Sequence, residues 1–282
     1  MGSLKKELEE FEKQILEQEI NENADETKLQ ELFEKLAPTF LYGGYIKVRD
    51  DYEIYIRTVE FYFHSEKDGV GIKDPIVYHR NDRDVEGDVP YFPFMTIHAH
   101  ASGLDITFEK EKEYRASALI RSYEVKDIRP EVKDNYGKYL KWDKTKKKFV
   151  PSDKKSNITQ STYLYTLLNG FALGEVKEEN IIKWNDYPEE QIKVYEKVYG
   201  IDAYPRINVA EYMMDKNGNY IQDGEKNYKK DDTISENEYK AEKEDARKNK
   251  RYPKYFISGK KYYRQDMRPW RFQLKDIEEE KY

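Results

Sequence analysis

The chain has 282 residues, 50 Lys and Arg against 56 Asp and Glu, a net charge of −6 and no cysteine. The missing cysteine excludes a disulfide scaffold, thiolate zinc sites and a cysteine nucleophile, and no apolar run reaches membrane-spanning length. Hydrophobic residues are only 38 %, but 26 Tyr, 12 Phe and 3 Trp supply large rings from which a core can be built. With no signal-peptide core after Met1, these features predict a soluble, cytoplasmic protein.

Residues 4–36 have a helical pattern. Leu4, Leu8, Phe11 and Ile15 recur at three- and four-residue steps, and a second helix with Leu29, Leu32, Phe33 and Leu36 on one face follows the polar stretch Asn21–Thr27. Residues 1–28 are expected as a helical arm that docks one stripe on the body or meets a helical protein partner. From residue 29 to 282 a single domain is expected, with polar insertions at about 130–157 and 215–250.

Residues 45–48 and 53–63 alternate apolar and polar, as half-buried strands do. Two more strands are expected, at 94–108 and 116–125, with a break at Ser102 and Gly103. Residues 64–93 are loop-like. Residues 138–155 hold eight lysines against Asp143 and Asp153, which marks an insertion by composition. A short apolar helix is expected at 161–173 with Ser161 as its cap, another at 180–200, and a loop or exposed helix at 215–246.

Charge is segregated along the chain. Residues 247–275 carry eleven Lys or Arg against Asp266 alone. A basic stretch interleaved with aromatics can track a phosphate backbone. Lys260, Lys261, Arg264 and Arg268 are its candidate nucleic-acid contacts, and a solvated lysine-rich surface is the plainer alternative.

All four histidines, His64, His79, His98 and His100, fall within 37 residues. His98 and His100 share one strand face, as do Glu60 and Tyr62. Arg121 lies inside the apolar run ASALIRSYEV, where a charge needs a carboxylate partner; Glu60 and Asp105 are the natural candidates. Two chemistries can use these groups. In one, the four histidines and Glu60 form a metal-dependent hydrolase site. In the other, Glu60 takes a proton from water, Arg121 orients that water or the carboxylate, and Tyr62 with a histidine stacks on a flat substrate.

In order along the chain, LAPTFLYGG, YIRTVEFYFHS, DPIVYHRN, MTIHAHASG and ASALIRSYEV resemble the alkyladenine (3-methyladenine, methylpurine) DNA glycosylase family. The similarity covers about residues 32–125, with weaker echoes at 206–212 and 268–274. It implies an α+β fold, a single mixed domain around a curved antiparallel sheet. It also implies base excision: DNA is bent, a damaged purine is flipped into an aromatic pocket, and its N-glycosidic bond is hydrolysed with no metal or other cofactor.

By that resemblance Glu60 activates water and Arg121 holds it. Tyr62, His79, His98 and His100 form the base pocket, with Asp105 nearest to the family's pocket asparagine, and Arg80 and Asn81 match its Arg-Asn pair. Ser102 stands where the family carries a wedge tyrosine. A non-catalytic module that binds nucleic acid or protein on the same fold is the alternative from another class. DNA is the expected partner, with no membrane.

Overall fold

The computed structural model describes residues 2–67, 71–74, 76–77, 90–100, 103–152, 182–207, 209, 235–258 and 261–276; of residues 99, 100, 258, 261 and 276 it describes the backbone alone. Outside these lie His79, Arg80, Asn81, Ser102, Lys260, the helix expected at 161–173, most of 206–212 and residues 215–234, together with the side chains of His100 and Lys261.

The fold is mixed α+β: a curled antiparallel sheet with four helices among the described residues. Helix α1 (Leu4–Glu17) is capped by Ser3, and α2 (Glu26–Tyr42) by Asp25, whose side chain accepts from the Lys28 amide. Ten strands follow in the larger sheet: β1 (Gly44–Val48), β2 (Tyr52–Ser65), β3 (Ile97–His100), β4 (Gly103–Thr107), β5 (Tyr114–Asp127), β6 (Tyr139–Asp143), β7 (Lys148–Ser152), β8 (Ile182–Asp186), β9 (Tyr199–Tyr204, after α3, Glu189–Val198) and β12 (Arg271–Asp276). Their central order is β3-β4-β5-β2-β1-β8, with β6 and β7 added beside β5, and β12 beside β2 and β9.

The chain divides into two compact units, Met1–Asp202 with Phe272–Tyr282, and Ala203–Arg271. The smaller one contains α4 (Glu236–Lys248), which opens on a Ser235/Glu238 capping box, and the hairpin of β10 (Tyr255–Ser258) and β11 (Lys261–Arg264). Its buried centre is Trp270, with the Arg206 guanidinium 4.9 Å and that of Arg268 4.1 Å from the ring centroid.

In the larger unit both amino-terminal helices belong to the core. Phe11 stacks on Phe33 at 5.8 Å and Phe33 on Phe61 at 4.6 Å, while Phe40 meets Phe61 edge-on at 5.5 Å. Each buried ring contributes about 1.5–3 kcal/mol. Helix α2 ends at Gly43, and at Gly44 a Cβ would run into the Asn185 carbonyl and the Trp184 ring. That glycine lets β1 pair closely with β8.

Two expectations change, and the basic tail gains defined elements. The lysine-rich stretch 138–155 contains the β6–β7 hairpin, because Leu140 and Trp142 share one face with their cross-strand partners Pro151 and Phe149. Residues 180–200 are not one helix: β8 pairs along all of β1, and α3 begins only at Glu189 after Pro188. The basic tail is largely strand, as β10, β11 and β12.

The central pair β2 and β5 carries two adjacent bulges. Ile56 pairs with Tyr123, Thr58 with Ser122 and Val59 with Ile120, so Arg57 on β2 and Arg121 on β5 are the surplus residues. Ile56 and Val59, three apart, would otherwise face opposite ways. With the bulges, Ile54, Ile56, Val59, Phe61 and Phe63 are all buried on the helix-covered face.

Candidate functional site

The opposite face of the sheet is polar. Cross-strand partners share a face, and Glu60 opposes Leu119, Leu119 opposes Asp105, and Asp105 opposes His98. Glu60, Asp105 and His98 therefore stand in one row, about 14 Å long over three strand spacings. Tyr62 and Arg121 flank the Glu60 end. Phe92 lies against the His98 ring, centroids 4.4 Å apart.

Arg121 Nε lies 3.0 Å from Glu60 Oε2. The Tyr62 hydroxyl donates to the same oxygen at 2.9 Å. Glu60 is fully buried, whereas the Arg121 side chain is 22 % exposed. A buried carboxylate thus meets a guanidinium that reaches solvent. Of the two partners expected for Arg121, it is Glu60 that the structure places against it. The surplus position of Arg121 in the bulge turns its side chain across to β2.

Further along the same face a second ionic cluster is closed. Arg115 is fully buried; its Nε donates to Glu66 Oε1 at 3.0 Å, and its Nη1 to the Pro90 carbonyl at 2.8 Å and to Glu109 Oε2 at 3.4 Å. Its guanidinium lies 3.7 Å from the Tyr91 ring centroid. Glu109 also accepts from the Phe92 amide at 2.8 Å. The cluster pins residues 90–92 and so supports the ring against which His98 rests.

The described histidines do not converge. His64 sits four residues along β2 from Glu60, about 13 Å away, and three strand spacings from β3. Its Nδ1 accepts from the Asp74 amide at 3.0 Å and it is buried beside Arg115, its cross-strand partner. That register keeps His64 and His98 from sharing one metal ion. Among the described residues no group of three His, Asp or Glu side chains is placed to hold one.

In the basic tail, Arg268 is folded back on Asp266: its Nε lies 3.0–3.1 Å from both carboxylate oxygens and its Nη2 2.8 Å from Oδ2. Arg206 Nη2 donates to Asp266 Oδ2 at 2.6 Å. Burial by itself would raise the Asp266 carboxyl; Arg206 and Arg268 more than reverse that and hold it well below the usual range. Arg264 is half-buried on β11.

The sequence reading missed a second guanidinium–carboxylate pair, Arg57 Nε to Glu124 Oε1 at 3.6 Å. It mirrors the first. Arg57-Thr58-Val59-Glu60 and Arg121-Ser122-Tyr123-Glu124 run antiparallel, each arginine reaches the other strand's glutamate, and Thr58 Oγ1 meets Ser122 Oγ at 2.6 Å midway. The signal was available as the spacing Arg-x-x-Glu, present on both strands. This second pair opens on a cavity of about 470 Å³.

No family model matches the chain, and no curated protein or solved structure matches it. No described helix is long and apolar enough to cross a membrane.

Proposed function

We propose that the chain is an N-glycosyl hydrolase of the alkyladenine DNA glycosylase type, acting on a damaged purine flipped from duplex DNA. The single observation that supports this reading is the 3.0 Å approach of Arg121 to Glu60, with Tyr62 bound to the same carboxylate oxygen. The ordered resemblance of residues 32–125 to that family puts water activation on this same pair.

In this mechanism the flipped nucleotide enters over the polar face. Glu60 accepts a proton from a water whose oxygen forms the new bond to the anomeric carbon. The C–N bond breaks and its electron pair leaves with the base. Arg121 fixes the carboxylate and the water, and a buried base held by an ion pair and one hydroxyl donor needs little reorganisation. Tyr62 holds Glu60 through its hydroxyl and offers its ring to the base. His98, resting on Phe92, stands at the far end of the row as a second contact.

The test is to incubate the protein with duplex DNA carrying alkylated or deaminated purines and to follow abasic-site formation. Glu60→Gln keeps the shape and removes the proton acceptor, so the rate falls by about 10²- to 10⁴-fold. Undiminished activity in that variant overturns the mechanism. Ser102, at the position of the family's wedge tyrosine, favours a second reading, a module that binds DNA without turnover. Salt-sensitive binding with no abasic sites at any time would select it.

A further inference from the structure

The cavity beside Arg57 and Glu124 is walled by a continuous run of phenol rings. Tyr139, Tyr55, Tyr45, Tyr187, Tyr195 and Tyr199 follow one another with centroids 5.4–6.3 Å apart and planes inclined by 34–66°. Each of its basic groups meets an acid: Arg57 faces Glu124 and lies 5.2 Å from the Tyr199 centroid, and Lys126 lies 3.8 Å from Glu53, which accepts from the Tyr55 hydroxyl; the remaining carboxylate, Asp186, accepts from the Leu4 amide and the Trp184 indole. Gln191 donates to the Tyr195 hydroxyl at 2.7 Å.

Each feature narrows the ligand. Glu53 and Glu124 oppose an anion. The same carboxylates are already met by Lys126 and Arg57, so little attraction is left for a cation. Adjacent rings are inclined to one another, so no two of them form a parallel sandwich around a flat base. What the wall offers is apolar ring surface bordered by hydroxyl, carboxylate, amide and guanidinium groups, donors and acceptors together. Burial first, then the bond to Glu53, keeps the Tyr55 phenol protonated, and burial does the same for Tyr187. Tyr187 keeps an O–H to donate, and Tyr55, whose O–H goes to Glu53, offers its oxygen as an acceptor.

We infer that this cavity is a second binding site, distinct from the Glu60 site, that takes a neutral carbohydrate of one or two rings, with the C–H face of the sugar on the tyrosines and its hydroxyls on the surrounding polar groups. A volume of about 470 Å³ lies within the range of small-ligand pockets.

The experiment titrates the full chain with glucose, N-acetylglucosamine, maltose and cellobiose, with adenosine monophosphate and trimethyllysine as counter-probes. Binding is read by saturation-transfer NMR and by intrinsic fluorescence. At least one sugar is expected to saturate. Tyr195→Ala, at a half-buried position on α3, weakens it about tenfold, and Tyr195→Phe weakens it less. Glu60→Gln leaves sugar binding unchanged, and Tyr195→Phe leaves abasic-site formation unchanged, so the two sites fail or stand separately. No saturable sugar signal, a signal indifferent to a folded Tyr195 variant, or saturation by a counter-probe instead would overturn the assignment.

Discussion

Arg115 and Arg121 stand six residues apart on the same face of β5, and glutamates hold both. Around Arg115 the enclosure is complete: two carboxylates, a backbone carbonyl and an aromatic ring surround a guanidinium with no exposed surface. Around Arg121 it is open on one side, and the buried partner is the acid. A fully satisfied buried cation holds chain segments together and has nothing left to offer a substrate. A cation that fixes a buried carboxylate while reaching solvent can present both groups to a reactant. Under the proposed mechanism the contrast separates a charge that is scaffold from one that does chemistry, although both lie on one strand.

The comparison breaks most visibly at Arg115. Arg115→Ala strands Glu66 and Glu109 in a dry site and is expected to cost about 3–5 kcal/mol. Urea unfolding measures it; a midpoint within error of wild type would mean the cluster is not the scaffold described. Arg121→Ala has the reverse profile. Stability falls by about 1–3 kcal/mol, since Tyr62 still holds Glu60. Under the proposed mechanism abasic-site formation falls more steeply than stability does, and Arg121→Lys recovers the melting curve better than the rate. Equal losses in both assays would place Arg121 in the scaffold class with Arg115.

The smallest effect extends the contrast to Ala203–Arg271. Asp266, held below its ordinary range by Arg206 and Arg268, contributes stability that is fully present above the unfolded value of about 3.9. That contribution is lost as pH falls through and below about 4. Glu242, lowered to about 2 chiefly by its bond to Arg251, adds to the same acid limb. Protection of the β10 and β11 amides, taken as exchange relative to the unfolded-chain rate at each pH, is expected to fall between about pH 4 and 2, and Asp266→Asn to remove most of that dependence. An unaltered pH profile in the variant would assign the acid limb to other groups.

Much of the central sheet was legible because its strands obey a period of two. YIRTVEFYFHS and ASALIRSYEV alternate clearly enough to mark β2 and β5, and a charge inside ASALIRSYEV pointed to a carboxylate. Arg115 gave no such signal, since it follows Glu111–Glu113 and looks like surface; its burial depends on residues 90–92 folding over it. The β6–β7 hairpin was hidden by lysines whose charge outweighs four apolar positions. Strand β8 was hidden because its five residues lead through Tyr187 and Pro188 into a true helix. The tyrosine cavity could not be read from sequence, because its walls come from α2, α3 and seven strands whose closeness is a product of the fold.

One more consequence follows from the two surplus arginines. Deleting Arg57 alone would rotate the preceding stretch of β2 by half a pleat, turning Ile54 and Ile56 toward the phenols and Tyr55 toward the helices. Deleting Arg121 alone would do the same to the strand on the other side of Thr58. The two insertions act as a matched pair of gears: each strand keeps its oil on one side only because the other has slipped by the same tooth, so length changes here are tolerable in both strands at once or in neither.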